Sequence, residues 1–319
     1  MRKATLLRLH SLSGFRRGPL LPVFLLVLTA LLLCDGACSA EEPLYIENQW
    51  NFVDGSMDVA GGIPADAQGR LARIRDNGKL TVATEPYFPP QEFIDSAQTG
   101  QARFVGADME LARLIAARMG VELEIVPLPL NDVLSSVADG KYDLAISALS
   151  FTPARAASLE MSKGYYYTSE PASSGLVIRS DMAEEITRIE DLALSDIVAQ
   201  SGSLQESMAA DSILHYRQFR RVSSVEDVYR AIQEGKCDAG IVDIESASIY
   251  IEKHPDSGLA LVPGISFALP AEHRGDRIAA PKGEIQLIYF VNGVIDEALN
   301  EGLYEQWFEE YAHDSSEDH

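Results

Sequence analysis

Cysteine is scarce in this 319-residue chain, with three in all. Two of them, Cys34 and Cys38, sit in the first forty residues. Beyond those only Cys237 remains, so no intrachain disulfide holds the fold there, and a buried, inert thiol is its default state. Catalytic signatures are missing too. There is no G-x-S-x-G elbow, no Walker loop and no H-E-x-x-H pair, which removes the sequence signals of a serine hydrolase, a P-loop nucleotide binder and a zinc protease. The six histidines (10, 215, 254, 273, 313 and 319) show no metal-ligand spacing. No metal and no cofactor are expected. Positive charge is outnumbered, with 26 Lys and Arg against 48 Asp and Glu. So acidic a surface repels nucleic acid and anionic membranes and weakly favours cations, although solubility alone would also account for it.

Long apolar runs are absent except near the start. Arg2, Lys3, Arg8, Arg16 and Arg17 form a basic leader, residues 20–33 are apolar, and Cys38-Ser39-Ala40 is a small-x-small site before Glu41. That order is the order of an export signal. A membrane anchor is the alternative, but about 14 apolar residues fall short of the roughly 20 needed to span. Residues 1–40 are therefore read as a cleavable signal, and the protein as exported, periplasmic or at the cell surface. Without them the basic count is 21 and the acidic count 47, a net charge of −26. Lipid anchoring at Cys34 or Cys38 is the competing fate. Against it, Leu33 precedes Cys34 where a small residue is wanted, and Asp35 lies three residues before Cys38.

Residues 41–64, Gly- and Asp-rich with a few aromatics, read as an extension strapped to the surface. Helix is expected over 65–75, stopped by Asn77-Gly78. Strand (80–84), a helix capped by Asp108 and ending at Gly120, strand (121–125), helix (131–138) and strand (142–147) follow. Such alternation argues for α/β layers. An internal echo extends it. Asp132-Val133 is followed by Gly140-Lys141-Tyr142-Asp143, and Asp227-Val228 is followed at the same separation by Gly235-Lys236-Cys237-Asp238. Two related lobes account for this better than coincidence. Lobe 1 is expected to hold residues 65–168 plus 276–319, with C-terminal helices (284–300 and 303–311) covering it. Lobe 2 is expected to hold 169–275, joined to lobe 1 by two crossover strands.

In open α/β sheets, ligands bind beyond the carboxyl ends of the strands. After the first echo strand, Thr152-Pro153 opens a helix as cap and first residue, which puts Arg155 in the first turn. An arginine there runs against the helix dipole, yet its guanidinium can take a carboxylate through two parallel hydrogen bonds. A solvated surface arginine is the alternative. The second echo strand ends at Asp243, which suits an ammonium group or, alternatively, the N-cap of the next helix. Arg155 and Asp243 together supply the fixed cation and fixed anion that a zwitterion needs. Ser201-Gly202-Ser203, leading a helix from about 204, is an anion-friendly start but common as a plain loop. Glu85-Pro86-Tyr87-Phe88-Pro89-Pro90 is a stiffened loop presenting an aromatic face and a carboxylate, with core packing as the alternative for Phe88. Tyr165-Tyr166-Tyr167 suits core or hinge packing better than ligand contact.

Gly-Lys-Leu-Thr-Val-Ala-Thr-Glu (78–85), Phe-Pro-Pro-x-Glu-Phe (88–93), Val-Gly-Ala-Asp-Met-Glu-Leu-Ala (105–112), Gly-Lys-Tyr-Asp-Leu (140–144), Thr-Pro-x-Arg (152–155) and Val-Asp (242–243) occur in order and at compatible spacing. From roughly 78 to 308 the chain resembles the family 3 extracellular solute-binding proteins of polar amino-acid ABC importers. The resemblance implies the type II periplasmic-binding-protein fold, hinge closure around a free amino acid, a membrane permease as partner and a monomer. By the same resemblance, Arg155 would bind the ligand carboxylate, helped by the backbone N–H groups of Ser150 and Ser203. Asp243 and the Ala148 carbonyl would take the ammonium group. Phe88 would be an aromatic wall, and Glu85 would close the side-chain pocket. Two departures stand out. Glu85 replaces a usual aspartate, and Leu130 stands where binders of basic amino acids often place a second aromatic. Leu130 weakens arginine or lysine as ligand, while Glu85 still favours a polar or cationic side chain over glutamate or aspartate. A receptor-docking sensor and a dehydratase on the same fold are the competing functions. Mass spectrometry of the exported protein should find a chain beginning at Glu41; a retained leader or a lipidated cysteine would contradict that expectation.

Overall fold

The structure, a computed structural model, describes residues 55–167 and 172–317, within one compact unit spanning 50–319. The export signal, Cys34, Cys38 and residues 41–54 lie outside the described residues. In chain order come α1 (Gly69–Asn77), β1 (Lys79–Thr84), β2 (Tyr87–Phe88), β3 (Glu92–Ile94), β4 (Phe104–Val105), α2 (Ala107–Met119), β5 (Glu122–Pro127), α3 (Leu130–Ala138), β6 (Leu144–Ser150), α4 (Pro153–Ser158) and β7 (Leu159–Met161). Then follow β8 (Ala172–Arg179), β9 (Asp196–Gln200), α5 (Leu204–Ser212), β10 (Gln218–Val222), α6 (Val225–Gln233), β11 (Ala239–Asp243), α7 (Ile244–Lys253) and β12 (Leu259–Ala268). The chain returns through β13 (Asp276–Pro281), α8 (Ile285–Asn300) and α9 (Leu303–Glu317).

Two five-stranded sheets share one plan, β5-β1-β6-β13-β7 and β10-β9-β11-β8-β12. In each, a strand (β1 or β9) is flanked by two parallel neighbours, and the fourth strand (β13 or β8) runs antiparallel to the third. Parallel neighbours need a crossover connection, and α2, α3, α5 and α6 fill that role. The fourth strands are exchanged. β8 enters the second sheet directly from the first, and β13 returns to the first only after the second is built. The fold is thus a two-lobed α/β architecture. The two connecting segments meet: Asp276 N donates to Tyr166 O and Tyr165 N donates to Asp276 O, both at 2.9 Å.

Each sheet is covered on both faces. In lobe 1, Leu111 and Ile115 of α2, Ile288 and Val291 of α8 and Tyr304 of α9 pack on one face, while Val133, Val137 and Phe151 cover the other. In lobe 2, Met208 and Ile213 lie on one side and Val228, Ile232 and the buried Cys237 on the other. Residues 55–59 lie along α8, where Met57 N donates to Tyr289 O and Asn292 Nδ2 to Gly55 O. Only glycine fits at 293, because a Cβ there would meet Met57 O at 2.1 Å.

The sequence echo is a structural echo. Each copy turns from helix to strand at a glycine in the left-handed region, Gly140 at φ 74° and Gly235 at φ 67°. In each, the aspartate three residues on ties the new strand to its parallel neighbour, β1 or β9. Asp143 Oδ2 accepts from Thr81 N at 2.9 Å, and Asp238 Oδ2 from Asp196 N at 2.8 Å. Three local expectations are corrected. Helix α1 begins at Gly69, because residues 65–68 form a turn. Strand β6 runs on to Ser150, because β13 pairs with its far end. Asp108 is no helix cap; Gly106 holds that position, and Asp108 is buried inside lobe 1. Asp143→Ala should lower stability by about 2–4 kcal/mol in chemical denaturation, since it also takes from the buried Arg70 its nearest carboxylate, paired at 2.8 Å. A loss below about 0.5 kcal/mol would contradict this tie.

Candidate functional site

One cleft is lined by all eight expected site residues. Glu85 and Phe88 reach it from the loop after β1, Leu130 from the first residue of α3, and Ala148 and Ser150 from the end of β6. Arg155 comes from α4, Ser203 from the start of α5, and Asp243 from the end of β11. The two sheets therefore present their strand ends to a common space, one lobe contributing Arg155 and the other Asp243.

Arg155 is not a surface residue: it is 9% exposed. Thr152 caps α4, its Oγ1 accepting from Arg155 N at 3.1 Å, with Pro153 as first residue. The guanidinium donates through Nη1 to Ser150 O at 2.7 Å and through Nη2 to Gly202 O, on the other lobe, at 3.0 Å. Of five N–H donors, these use two. Burial draws its pKa down to about 10, with the Asp276 carboxylate opposing. Asp243 takes the capping role weighed for it and also faces the cleft. Its Oδ1 accepts from Ser246 N at 2.9 Å as cap of α7, and it lines the cleft. Burial pushes its pKa up to about 6, against the bond from Ser246.

Ala148 has φ 43°, in the left-handed region. The register between β6 and β13 shifts here, Arg277 pairing with Leu149 but Ala279 with Ala145, a bulge in β6. Such a conformation costs an alanine about 1 kcal/mol or more, so something must hold it. Ala148 N donates to Asp108 Oδ2 at 2.9 Å. That buried carboxylate also accepts from Tyr165 OH at 2.8 Å and Tyr304 OH at 2.7 Å. Beside it Glu92, 1% exposed, is pushed well above the usual carboxylate range by burial and by Asp108. Burial raises the Asp108 carboxyl as well, and its bonds from Ala148, Tyr304 and Tyr165 oppose that rise. Ser147 Oγ donates to Glu92 Oε1 at 2.9 Å and accepts from Glu85 N at 3.1 Å.

Glu85, 8% exposed, accepts from Gln200 Nε2 of lobe 2 at 2.5 Å. Burial raises its pKa to about 7; the Gln200 bond works against this and Glu226 adds to it. Leu130 adds apolar surface, and Phe88 is half-buried. One expected role is corrected. The N–H of Ser203 turns to Gln200 O at 3.3 Å, because Ser203 closes the turn and caps α5. Ser150 supplies the cleft with its carbonyl, which steadies Arg155. The structure adds cleft residues that went unnoticed, Gln200, Glu245, Arg274 and Asp276, and it puts Tyr166, expected to pack in the core or hinge, in the cleft lining as well. Gln200 was within reach of the strand-end rule, as the last residue of β9. Asp276 was not, because β13 is antiparallel and brings its amino end to the cleft. Among the described residues no cluster of side chains could hold a metal ion, and no helix is long and apolar enough to cross a membrane.

Two α/β lobes that hold opposite fixed charges across one cleft define a solute-binding protein. Residues 80–314 match the bacterial extracellular solute-binding proteins, family 3, and the chain belongs to that family. A probable histidine-binding protein of Campylobacter jejuni is 25% identical over 241 residues, 73% of this chain and 84% of that one. An amino-acid ABC transporter substrate-binding protein of Streptococcus pneumoniae, solved with L-arginine bound, superposes with a TM-score of 0.67 at 30% identity, covering 77% of this chain and all of that one. A cyclohexadienyl dehydratase of Pseudomonas aeruginosa is 24% identical over 194 residues, 59% of this chain and 68% of that one.

The buried carboxyls make stability depend on pH in a definite sense. Glu85 and Asp243 have folded pKa values, about 7 and about 6, above their unfolded values. Their contribution is fully present below about pH 4 and is lost as pH rises through 6 and 7. Without ligand, the protein should melt higher at pH 5 than at pH 8, by about 3 °C or more, and Glu85→Gln should reduce the difference. A lower melting temperature at pH 5 would contradict it.

Proposed function

We propose that the protein captures a free amino acid with a cationic side chain, arginine first among them, and delivers it to an ABC importer. One observation carries this function: a buried cation on lobe 1 and a half-buried acid on lobe 2 line the same cleft, with a buried carboxyl, Glu85, beside them. The remaining Arg155 donors take the α-carboxylate in the bidentate geometry that guanidinium favours. Asp243 and the Ala148 carbonyl take the α-ammonium. Glu85 receives the side-chain cation, while Phe88 and Leu130 flank the aliphatic stem. Leu130 forgoes a second cation–π contact, worth about 0.5–2 kcal/mol. The acidic cleft and the arginine held by the S. pneumoniae relative favour arginine nonetheless. A glutamate or aspartate ligand would meet Glu85 with like charge.

Binding works by closure. The contacts between Arg155 and Gly202 and between Glu85 and Gln200 cross from lobe to lobe, so the complete site exists only when the lobes meet. A ligand that touches both lobes binds the closed form more tightly and shifts the population toward it. Micromolar affinity corresponds to about 8 kcal/mol, within reach of one charged pair at each end. The protein acts as an exported monomer, in the periplasm or at the cell surface, whose closed form docks on a membrane permease.

A second function, dehydration of an aromatic amino-acid precursor, is favoured by one observation: Glu85 titrates near neutral pH, as a general acid or base would. Formation of product from prephenate or arogenate would establish it; none is expected.

Titration calorimetry against the twenty amino acids tests the primary function. Arginine should bind with micromolar Kd at pH 8 and more weakly below pH 7, as Glu85 takes up a proton. Arg155→Ala should weaken every amino acid at least 100-fold. Glu85→Gln should weaken arginine about tenfold or more, sparing glutamine. A wild-type protein that binds no amino acid, or an arginine variant with unaltered affinity, would overturn it.

A further inference from the structure

The second connection between the lobes ends in a carboxylate that the function above leaves unused. Asp276 opens β13 opposite Ser150 of β6, so it enters the cleft beside the carbonyl that steadies Arg155. Its backbone is held by Tyr165 and Tyr166 of the other connection, at 2.9 Å each. Its side chain lines the cleft together with Arg155, Asp243 and Glu245. The matching position in lobe 2, opposite Asp243 in the antiparallel neighbour β8, is Ser174, a neutral residue that accepts a hydrogen bond from Gln205. The aspartate is therefore a departure from the repeat, on the cleft side of one lobe only.

Charge in the cleft makes this departure informative. Burial, then Asp108 and Asp243, disfavour the ionised form of Asp276, while Arg155 and Arg277 support it. Glu92 of β3 and Tyr304 of α9 feel its charge from below, and Tyr166 does so from the other connection. Asp276 thus lies within electrostatic reach of both the fixed cation of lobe 1 and the fixed anion of lobe 2. Two carboxylates facing one small space without a cation between them hold on to a proton. An ammonium group placed there removes that conflict.

We propose that Asp276 is a second carboxylate of the ammonium seat, gripping the ligand's α-ammonium group jointly with Asp243 when the lobes close. This rests on the amino-acid function above and adds a residue to it. Because Asp276 stands where the two connections are bonded together, ammonium capture acts directly on the segment about which the lobes turn. Burial and the neighbouring acids favour the protonated form of Asp276, and an ammonium group seated against it favours the ionised form, so binding should release a proton.

Calorimetry with arginine at pH 7, in two buffers of different ionisation enthalpy, tests this on the wild type, Asp276→Asn and Asp276→Ser, the last copying Ser174. Both variants should bind arginine at least 30-fold more weakly and release about one proton fewer per arginine than the wild type. Their ligand-free melting temperatures should equal or exceed that of the wild type, because one of two crowded acids is gone. Affinity within threefold of the wild type would overturn the proposal, as would weakened binding with an unchanged proton count, which would mark Asp276 as merely structural. A wild type that binds arginine while these variants behave like it refutes only the role of Asp276; a wild type that binds no amino acid refutes the function itself.

Discussion

A guanidinium withdrawn from water sets the terms for this molecule. Arg155 is fixed by a carbonyl from each lobe and lies where burial alone pulls its pKa down to about 10. A buried cation is costly until a matching anion arrives with good geometry. The three N–H donors left over suit a carboxylate, and two acids, Asp243 and Asp276, line the same cleft. The cleft is therefore poised toward a partner that brings both signs of charge.

The floor of lobe 1 is organised around that requirement. Ala148 is held in a conformation that alanine rarely adopts, and the holding group is an aspartate buried between two tyrosine hydroxyls and beside a buried glutamate. Asp108, Glu92, Tyr165 and Tyr304 come from α2, β3, the first connection and α9. The backbone at Ala148 thus depends on several separate parts of the chain. Truncating Asp108 would remove the acceptor that Ala148, Tyr165 and Tyr304 share. The C-terminal helices do more than cover the core, since Tyr304 completes this support.

Much of this was legible in the sequence, for identifiable reasons. The repeated Gly-Lys-x-Asp turn survives in both lobes because a left-handed glycine and a strand-tying aspartate are needed wherever helix passes to strand in this plan. Arg155 and Asp243 could be found because they follow parallel strands, whose carboxyl ends face the cleft. Asp276 and the bulge at Ala148 could not, because both arise from antiparallel pairing with β13, a strand more than 120 residues away in sequence from β6. Asp108 was mistaken for a cap because Gly106 does that work unseen, while burial gave the aspartate another task. Ser203 looked like an anion-binding start, but closing its own turn uses the donor that a ligand would need.

The most direct measurement is a crystal structure of the protein grown with arginine. It should show the ligand carboxylate on two N–H groups of Arg155 and the ligand ammonium within hydrogen-bond distance of Asp243, with both lobes in contact with one molecule. A ligand held by a single lobe, or a reversed orientation with its ammonium group against Arg155, would contradict this account.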